Sequence, residues 1–377
     1  MTKQPKKKIL VSNPQLSYLA LKNEIDEATI QFYENPIYIL GEHVAKFETN
    51  FANYLGINHA IGVANGTDAI LLALKAYDIG VGDEVITVSL TAVATVSAIE
   101  QSGASPVLVD VDLISKTIDV QKISQVITSK TKAIVAVHLY GQPADLDALT
   151  EICKKHHLIL IEDCAQAHGA IFKDKYVGTF GHASTFSFYP TKNLGAIGDG
   201  GMVVTNDKHI ADKVRRLRQY GWDRPQFSIE PGINSRLDGL QAVILDIKLK
   251  HLDSSIKKRQ SLAEYYTKSL TGLPINLPSS IINTSHAYHL YVIKLHDANL
   301  RHVIIEYLKQ FDIFVGVHYP YGVHQQPAYT NRIKTSSLKN TEQLTESIIS
   351  LPMYPELTHS EAEYVVSKLC DFFKRHD

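Results

Sequence analysis

Cysteine is scarce in this sequence: 377 residues contain three of them, Cys153, Cys164 and Cys370. Their number is odd, and no two of them form a CxxC pair. This usage argues against a disulfide framework, a cysteine-ligated zinc site and an iron–sulfur cluster. We therefore expect no metal site, and a cytoplasmic protein is the default expectation.

An excess of charge and long apolar runs are also missing. The sequence has 38 Lys and Arg against 39 Asp and Glu, whereas a nucleic-acid-binding protein carries a basic excess. No apolar run approaches the roughly 18 residues of a membrane helix. The basic residues Lys3 and Lys6 to Lys8 precede ILVSNPQ, which is too polar for the core of a signal peptide. The sequence thus predicts no nucleic-acid partner, no membrane partner and a solvated basic N terminus.

What the sequence does contain is an alternation of short β-rich runs and longer helical patterns, from about residue 43 to 210. This alternation predicts an α/β fold with parallel strands, right-handed crossovers and helices on both faces of the sheet. ASTFSFYP and GGMVVTND follow each other closely, so we expect an antiparallel element there. From about residue 240 the pattern is α+β. We predict a large domain over residues 1–250 and a smaller C-terminal domain over residues 251–377.

The segment IEDCAQAHGA, residues 161–170, follows an apolar run that predicts a buried parallel strand. Asp163 lies at the carboxyl end of that strand, where open α/β sheets bind ligands. A buried carboxylate needs a cationic or hydrogen-bonding partner. The protonated ring nitrogen of pyridoxal phosphate is one such partner; a helix N-cap or an internal salt bridge are the alternatives.

The segment VANGTDAILLALKAY places Gly66 and Thr67 at the start of a helix that follows a short strand. Amides at a helix N-terminus bind phosphate, and glycine allows close approach. An ordinary N-cap explains the same residues. Neither GxGxxG nor GxxxxGK[ST] occurs, so nucleotide cradles of those two types are not indicated.

Lys192 lies in SFYPTKNLGAIGDGG, residues 187–201, between Pro190 and four glycines. A lysine with a lowered pKa is a nucleophile that forms Schiff bases, and Ser187 offers a hydroxyl to a phosphate. A solvated lysine in a glycine-rich turn is the alternative. The functional interpretation rests on the joint occurrence and the order of these three segments.

Together these segments resemble the DegT/DnrJ/StrS sugar aminotransferases, which are pyridoxal-phosphate enzymes of fold type I. The resemblance covers nearly the whole chain and rests on YILGEHVAKFETNFANYLG, NGTDAI, GDEVITVSLTAVATVSAI, SPVLVDVD, VHLYGQPADLDAL, IEDCAQAHGA, FSFYPTKNLGAIGDGGMVVTND, NSRLDGLQAVIL, HYPYGVHQQPAY and LPMYPELT. It implies the aspartate aminotransferase-like fold, with a mainly parallel seven-stranded sheet, helices on both faces and a smaller α+β C-terminal domain.

The resemblance also implies roles for individual residues. Lys192 would bind the cofactor covalently and carry protons, Asp163 would pair with the pyridine nitrogen, and Gln166 would lie near the phenolic oxygen. The phosphate would be bound by Gly66, Thr67 and Ser187. Asn234, in NSRLDGLQA, would reach that phosphate from the neighbouring subunit, which implies a homodimer with shared active sites.

The sequence departs from many relatives at Ala92, where they carry an aromatic residue stacked on the cofactor ring. TAVAT resembles the version in relatives that aminate a 3-keto sugar, and HYPYGVHQQPAY supports the same interpretation. The candidate substrate contacts are Tyr38, His318, Tyr319 and His324 for the sugar nucleotide and Arg236 for the donor carboxylate. The alternatives are core packing, a turn, a surface histidine and a structural ion pair.

We therefore expect a ping-pong transamination. An amino-acid donor, glutamate in the family, would convert pyridoxal phosphate to pyridoxamine phosphate, and a nucleotide-linked keto-sugar would then receive the amino group. The expected substrate is a dTDP-3-keto-6-deoxyhexose, which yields the 3-amino-3,6-dideoxy sugar. A C4 aminotransferase of a UDP- or GDP-sugar, an aminocyclitol enzyme and a non-catalytic regulatory or sensor protein are the alternatives. The presence of Lys192, Asp163 and Gln166 argues against the last of these.

Overall fold

The computed structural model describes residues 8–279, 281–330 and 332–376, so Lys3, Lys6 and Lys7 of the predicted solvated N terminus lie outside the described residues. The helices are α1 (Pro14–Ala20), α2 (Lys22–Tyr33), α3 (Gly41–Leu55), α4 (Gly66–Ala76), α5 (Val93–Ser102), α6 (Val120–Ile123), α7 (Leu146–His156), α8 (Lys208–Leu217), α9 (Gly239–Lys250), α10 (Leu252–Leu270), α11 (Leu300–Lys309), α12 (Lys339–Ser347) and α13 (His359–His376). The strands are β1 (His59–Val63), β2 (Glu84–Val88), β3 (Ser105–Val109), β4 (Thr131–Val137), β5 (Ile159–Asp163), β6 (Ile171–Phe172), β7 (Lys175–Tyr176), β8 (Ala183–Ser187), β9 (Gly201–Thr205), β10 (Trp222–Arg224), β11 (Phe227–Ser228), β12 (Ile275–Asn276), β13 (Thr284–Ser285), β14 (Tyr291–Leu295), β15 (Lys334–Thr335) and β16 (Ile348–Leu351).

The central sheet has the strand order β1-β9-β8-β5-β4-β2-β3-β15. Strands β8, β5, β4, β2, β3 and β15 are parallel neighbours, and Ile161 of β5 lies opposite Val135 of β4 and Ala183 of β8. The runs EVITV, TKAIVAV and ILIED are rich in β-branched residues and almost wholly buried. This is the pattern of parallel strands that are covered by helices on both faces, and it confirms the predicted fold class.

The antiparallel element predicted from ASTFSF and GGMVVTND is confirmed, since β9 is antiparallel to both β8 and β1. The sheet also has an eighth, two-residue strand that the sequence analysis did not include. This strand, β15, lies at the edge beside β3 and comes from the C-terminal part of the chain. A strand of two residues is too short to show the alternation from which strands are predicted.

The two faces of the central sheet bury separate apolar clusters. On one face, residues of α4, α5 and α8 pack together around Leu72, Leu74 and Val203. On the other face, residues of α3, α7 and α9 pack around Phe51 and Phe186. Because β1, β8, β5 and β4 all run in the same direction, their carboxyl ends share one edge of the sheet, where α4 begins.

The C-terminal part builds a second, three-stranded antiparallel sheet of β12, β14 and β16. Its core includes the buried Tyr266 of α10, Tyr291 of β14 and Phe372 of α13. Among the described residues, none of the helices combines the length and the apolar character that a membrane crossing requires.

Candidate active site

A cavity of about 240 Å³ opens at the edge of the sheet where α4 begins. It is bounded by the start of α4, the residues before and at the start of α5, the ends of β4, β5 and β8, and the loop after β8. Six of the predicted site residues line this one cavity: Gly66, Thr67, Asp163, Gln166, Ser187 and Lys192. The fold thus brings together three segments of the sequence, residues 66–67, 163–166 and 187–192.

Lys192 lies in a tightly folded loop between β8 and β9. Its backbone N–H donates to the carbonyl of Tyr189 over 2.8 Å. A Cβ added at Gly195 would lie 2.4 Å from the carbonyl oxygen of Pro190, so only glycine fits at this turn. Burial lowers the pKa of Lys192 to about 8, against the opposing charge of Asp163. A larger fraction of the amine is therefore neutral and nucleophilic near neutral pH than in an exposed lysine.

Asp163 ends β5 and is buried at the wall of the cavity. Thr95 Oγ1 donates to its Oδ2 over 2.9 Å, and the N–H of Ala165 donates to its Oδ1 over 3.1 Å. Burial raises the pKa of Asp163, while these hydrogen bonds and the charge of Lys192 lower it. A cationic group in the cavity would favour the ionised form of this carboxylate.

The start of α4 forms a cradle beside the end of β8. The N-cap residue is Asn65, whose side chain accepts the N–H of Asp68 over 2.8 Å. A Cβ added at Gly66 would lie 2.7 Å from the Cβ of Ser187, so the close approach of α4 to β8 requires glycine. The hydroxyls of Ser187 and Thr67 line the same space. Free amides and hydroxyls at a helix N-terminus are suited to a phosphate group.

Gln166 is buried in a hydrogen-bonded network at the wall of the cavity. Its Oε1 accepts the backbone N–H of Tyr140 over 2.8 Å, and its Nε2 donates to Tyr319 Oη over 2.9 Å. Tyr319 does not line the cavity itself. The structure therefore connects this predicted substrate contact to a predicted cofactor contact.

The other predicted substrate residues lie outside the lining of the cavity. His318 Nδ1 lies 2.9 Å from Ser350 Oγ. His324 has partners on both ring nitrogens, with Nδ1 2.7 Å from Ser89 Oγ and Nε2 3.3 Å from Glu342. Within one chain, these contacts attach both histidines to neighbouring segments.

Three further predicted residues lie on or near the surface. Tyr38 is 51% exposed, and its hydroxyl donates to the carbonyl of Tyr33 over 3.1 Å. Asn234 is exposed, and Arg236 is partly buried. None of the three lines the cavity in one chain, so any role at the site requires a second subunit or a bound substrate.

Ala92, the position at which the sequence departs from relatives that carry an aromatic residue, lies in the wall of the cavity and is the N-cap residue of α5. Ala165 and Val137 contribute further small apolar groups to the wall. Tyr189, with 53% of its surface exposed, supplies an aromatic ring to the same lining. Tyr189 precedes Pro190 in the lysine loop, so it belongs to a different segment from the one where relatives carry their aromatic residue.

Several residues that support the site were not predicted from the sequence. Thr95 lies in the TAVAT segment, at a spacing from Thr91 that places both residues on the same face of a helix. This spacing was the signal available in the sequence, and in the structure the two hydroxyls are 3.0 Å apart. Lys248 was visible as a lysine within the apolar run of α9, and its Nζ donates to the carbonyl of Gly195 over 2.7 Å. Nothing in the sequence around Tyr140 indicated its contact with Gln166.

One buried cluster near the site has the composition of a metal site. Donor atoms of His138, Glu162 and Cys164 lie within 4.8 Å of one another. Glu162, however, accepts hydrogen bonds from the backbone amides of Gly178 and Gly181 as well as pairing with His138. This carboxylate therefore already has the partners that a buried charge requires, and the cluster holds the β7–β8 connection against β5.

Comparisons with known proteins agree with this geometry. A model of the DegT/DnrJ/EryC1/StrS aminotransferase family matches residues 20–370. The chain is 45% identical over 345 residues to a dTDP-3-amino-3,6-dideoxy-alpha-D-galactopyranose transaminase of Aneurinibacillus thermoaerophilus, covering 92% of this chain and 94% of that protein. It is 42% identical over 361 residues to a protein of Geobacillus stearothermophilus named pleiotropic regulatory protein, covering 95% of this chain and 96% of that protein.

A solved structure is similar over the whole chain. This is the X-ray crystal structure of DesV from S. venezuelae in complex with a ketimine intermediate. The two structures superpose with a TM-score of 0.95 at 38% sequence identity, covering 99% of this chain and 100% of that chain.

Proposed function

The chain belongs to the DegT/DnrJ/EryC1/StrS aminotransferase family, whose members are pyridoxal-phosphate-dependent sugar aminotransferases, and from this premise we propose that it aminates a dTDP-3-keto-6-deoxyhexose. The product is the dTDP-3-amino-3,6-dideoxyhexose, and the proposed amino donor is L-glutamate. The observation that carries the proposal is the convergence of Lys192, Asp163 and the Gly66 cradle on one cavity. The name of the transaminase from Aneurinibacillus thermoaerophilus supports the choice of sugar.

The residues of the cavity fit pyridoxal 5′-phosphate. Gly66, Thr67 and Ser187 would hold the phosphate, because the approach of α4 to β8 leaves room only for a glycine and exposes amides and hydroxyls. Asp163 would pair with the protonated ring nitrogen, which supplies the cation that a buried carboxylate needs. Lys192 would hold the cofactor covalently, and its lowered pKa suits that bond.

When bound, the cofactor supplies an electron sink for the electrons released at the substrate carbon. Lys192 would supply the amine that holds the cofactor and would move a proton to and from that carbon. Asp163 would keep the ring nitrogen protonated, with its carboxylate held in place by the hydrogen bond from Thr95. Gln166 faces the cavity with an amide, which we assign to the phenolic oxygen of the cofactor.

We also propose a homodimer with shared active sites. Asn234 is exposed and outside the cavity of its own chain, as a residue that serves the neighbouring subunit's phosphate site would be. Large apolar side chains are exposed near the N terminus and in the segment around the β10–β11 hairpin, which suits a protein interface; they are Ile30, Tyr33, Ile37, Tyr38, Ile39, Phe227 and Ile229. In the assembled dimer, Tyr38 would contact the sugar nucleotide and Arg236 would contact the donor carboxylate.

A cytoplasmic location is part of the proposal. All three cysteines are free, and Cys153 and Cys164 are buried. Free thiols are usual in a reducing compartment such as the cytoplasm.

The experiment that tests this function is an amination assay with purified protein, pyridoxal phosphate and L-glutamate. The dTDP-3-keto-6-deoxyhexose is expected to gain one amino group, read by mass spectrometry, and NMR is expected to place it at C3. Amination of a UDP- or GDP-4-keto sugar without reaction of the 3-keto sugar would refute the substrate assignment. The second candidate is a sensor function, because one relative is named a pleiotropic regulatory protein. Binding of the cofactor without turnover of any keto-sugar would favour this second candidate.

A further inference from the structure

A hydrogen bond joins the candidate site to the C-terminal part of the chain. Gln166 Nε2 donates to Tyr319 Oη over 2.9 Å. Gln166 lines the cavity, whereas Tyr319 is not among the residues that line it. The position of Tyr319 therefore affects the cavity through Gln166.

The neighbours of Gln166 determine which way its amide points. The backbone N–H of Tyr140 donates to Oε1 over 2.8 Å, and because a backbone N–H can only donate, the atom that faces it is the oxygen. The amino group then faces Tyr319. An amino group has two hydrogens, one of which is used by Tyr319, so the second is available to an acceptor in the cavity.

The same tyrosine that holds Gln166 also holds the backbone before Tyr319. Tyr140 Oη donates to the carbonyl of His318, and His318 Nδ1 lies 2.9 Å from Ser350 Oγ. Burial raises the pKa of Tyr319 to about 12, so its phenol is neutral near pH 7. Both ends of the Gln166 amide are therefore bound to groups that are themselves fixed.

We propose that Tyr319 is a positioning residue that holds the Gln166 amide with its second N–H directed to the cavity. This proposal rests on the proposed function, under which the phenolic oxygen of the cofactor lies beside Gln166. An N–H donated to that oxygen stabilises its anionic form and so lowers the pKa at which the lysine-bound cofactor loses its proton. Without the Tyr319 hydroxyl only the Tyr140 contact at Oε1 remains, so the amino group is less firmly directed to the cavity and that pKa rises.

The first test is an absorbance titration of cofactor-loaded protein between pH 5 and pH 10. Tyr319→Phe removes only the hydroxyl, and we expect the midpoint to rise by about half a pH unit or more, because a hydrogen bond to a charged group is weakened. The matched control is Tyr321→Phe, which alters a side chain that is 63% exposed. The proposal is overturned if the Tyr319→Phe midpoint equals that of the wild type.

The second test is a double-mutant cycle with Gln166→Ala. If Tyr319 acts through Gln166, adding Tyr319→Phe to Gln166→Ala leaves the midpoint where Gln166→Ala alone puts it. Additive shifts would show that Tyr319 reaches the cofactor or the sugar independently and would refute the proposal. In steady-state assays Tyr319→Phe is expected to lower kcat severalfold and leave KM for the sugar unchanged, whereas a direct sugar contact would raise KM.

A third variant covers the case in which Tyr319→Phe fails to fold. Site-specific incorporation of 2,3-difluorotyrosine at position 319 preserves the ring and the hydroxyl but weakens the oxygen as an acceptor, so the midpoint is expected to shift in the same direction. None of these titrations requires sugar turnover. A protein that titrates as expected but aminates no keto-sugar refutes the proposed function alone, and an active enzyme with an unchanged titration refutes the role of Tyr319 alone.

Discussion

Lys248 Nζ donates a hydrogen bond of 2.7 Å to the carbonyl of Gly195, three residues after Lys192. Lys248 belongs to α9 and is buried. Burial lowers its pKa to about 8, and the charge of Glu356 raises it again. A buried lysine is costly unless it is bonded, so this contact identifies Lys248 as the anchor of the loop that carries Lys192.

Lys248→Met is expected to destabilise the protein by about 1–3 kcal/mol, because the buried carbonyl of Gly195 loses its donor. The measurement is the free energy of unfolding in urea. Lys250→Met, at an exposed position of the same helix, serves as the control and is expected to change stability by less than about 0.5 kcal/mol. Equal stabilities of the two variants would contradict the anchoring role.

The reaction of Lys192 with cofactor is expected to depend on pH in a way that reports its pKa. Only the neutral amine reacts, so the rate rises with pH below the pKa and becomes constant above it. Because the pKa of Lys192 is lowered to about 8, the rate of cofactor binding to apoprotein is expected to level off near pH 8, whereas the rate of Nα-acetyl-lysine with the same cofactor continues to rise. The ratio of the two rates is therefore expected to fall above pH 8, and a ratio that stays constant through pH 9 would show that burial does not lower the pKa.

Asp163→Asn is expected to lower kcat by about 100-fold or more, because the amide cannot hold a proton on the ring nitrogen through charge. Thr95→Val removes one hydrogen bond to Asp163 and leaves the charge, so a smaller loss, of about tenfold, is expected. Half-reaction rates with glutamate measure both. A Thr95→Val variant as slow as Asp163→Asn would place Thr95 in the chemistry rather than in support of the carboxylate.

Gly66→Ala is expected to weaken cofactor binding by about tenfold or more, since the added Cβ would lie 2.7 Å from the Cβ of Ser187. Fluorescence titration of apoprotein with pyridoxal phosphate measures the affinity. Ser187→Gly alone gives the cost of losing the hydroxyl, and Gly66→Ala with Ser187→Gly removes the clash. If the double variant loses as much affinity as the two single variants combined, steric fit does not explain the glycine.

Shared active sites predict complementation between two inactive variants. Lys192→Ala and Asn234→Ala proteins, mixed and reassociated, are expected to recover roughly a quarter of wild-type activity, because half of the dimers are mixed and each contains one intact site. Each variant reassociated alone is the control. Recovery no greater than the mean of the two controls would refute the contribution of Asn234 from the partner.

Much of the site could be predicted from the sequence because its chemistry lies in short segments. The apolar run before Asp163 predicts a buried strand, and a carboxylate at the carboxyl end of such a strand lies at the ligand-binding edge of an α/β sheet. Gly66 follows the carboxyl end of β1 and Lys192 follows that of β8, and all three residues line the cavity. The supporting residues could not be predicted in this way: Lys248 lies 53 residues from Gly195, and Tyr319 lies 153 residues from Gln166.

Local sequence patterns were sufficient to predict the fold class and the order and residue types of the three segments that line the cavity, since strand patterns, glycine turns and helix starts are local properties of the chain. The folded arrangement set which groups are buried, and hence that the pKa of Lys192 is lowered and the pKa of Asp163 is raised. It also decided that His324 is bonded to Ser89 and Glu342 and that Tyr319 is bonded to Gln166. Burial and partner choice depend on residues that are distant in sequence, and for that reason no local pattern encodes them.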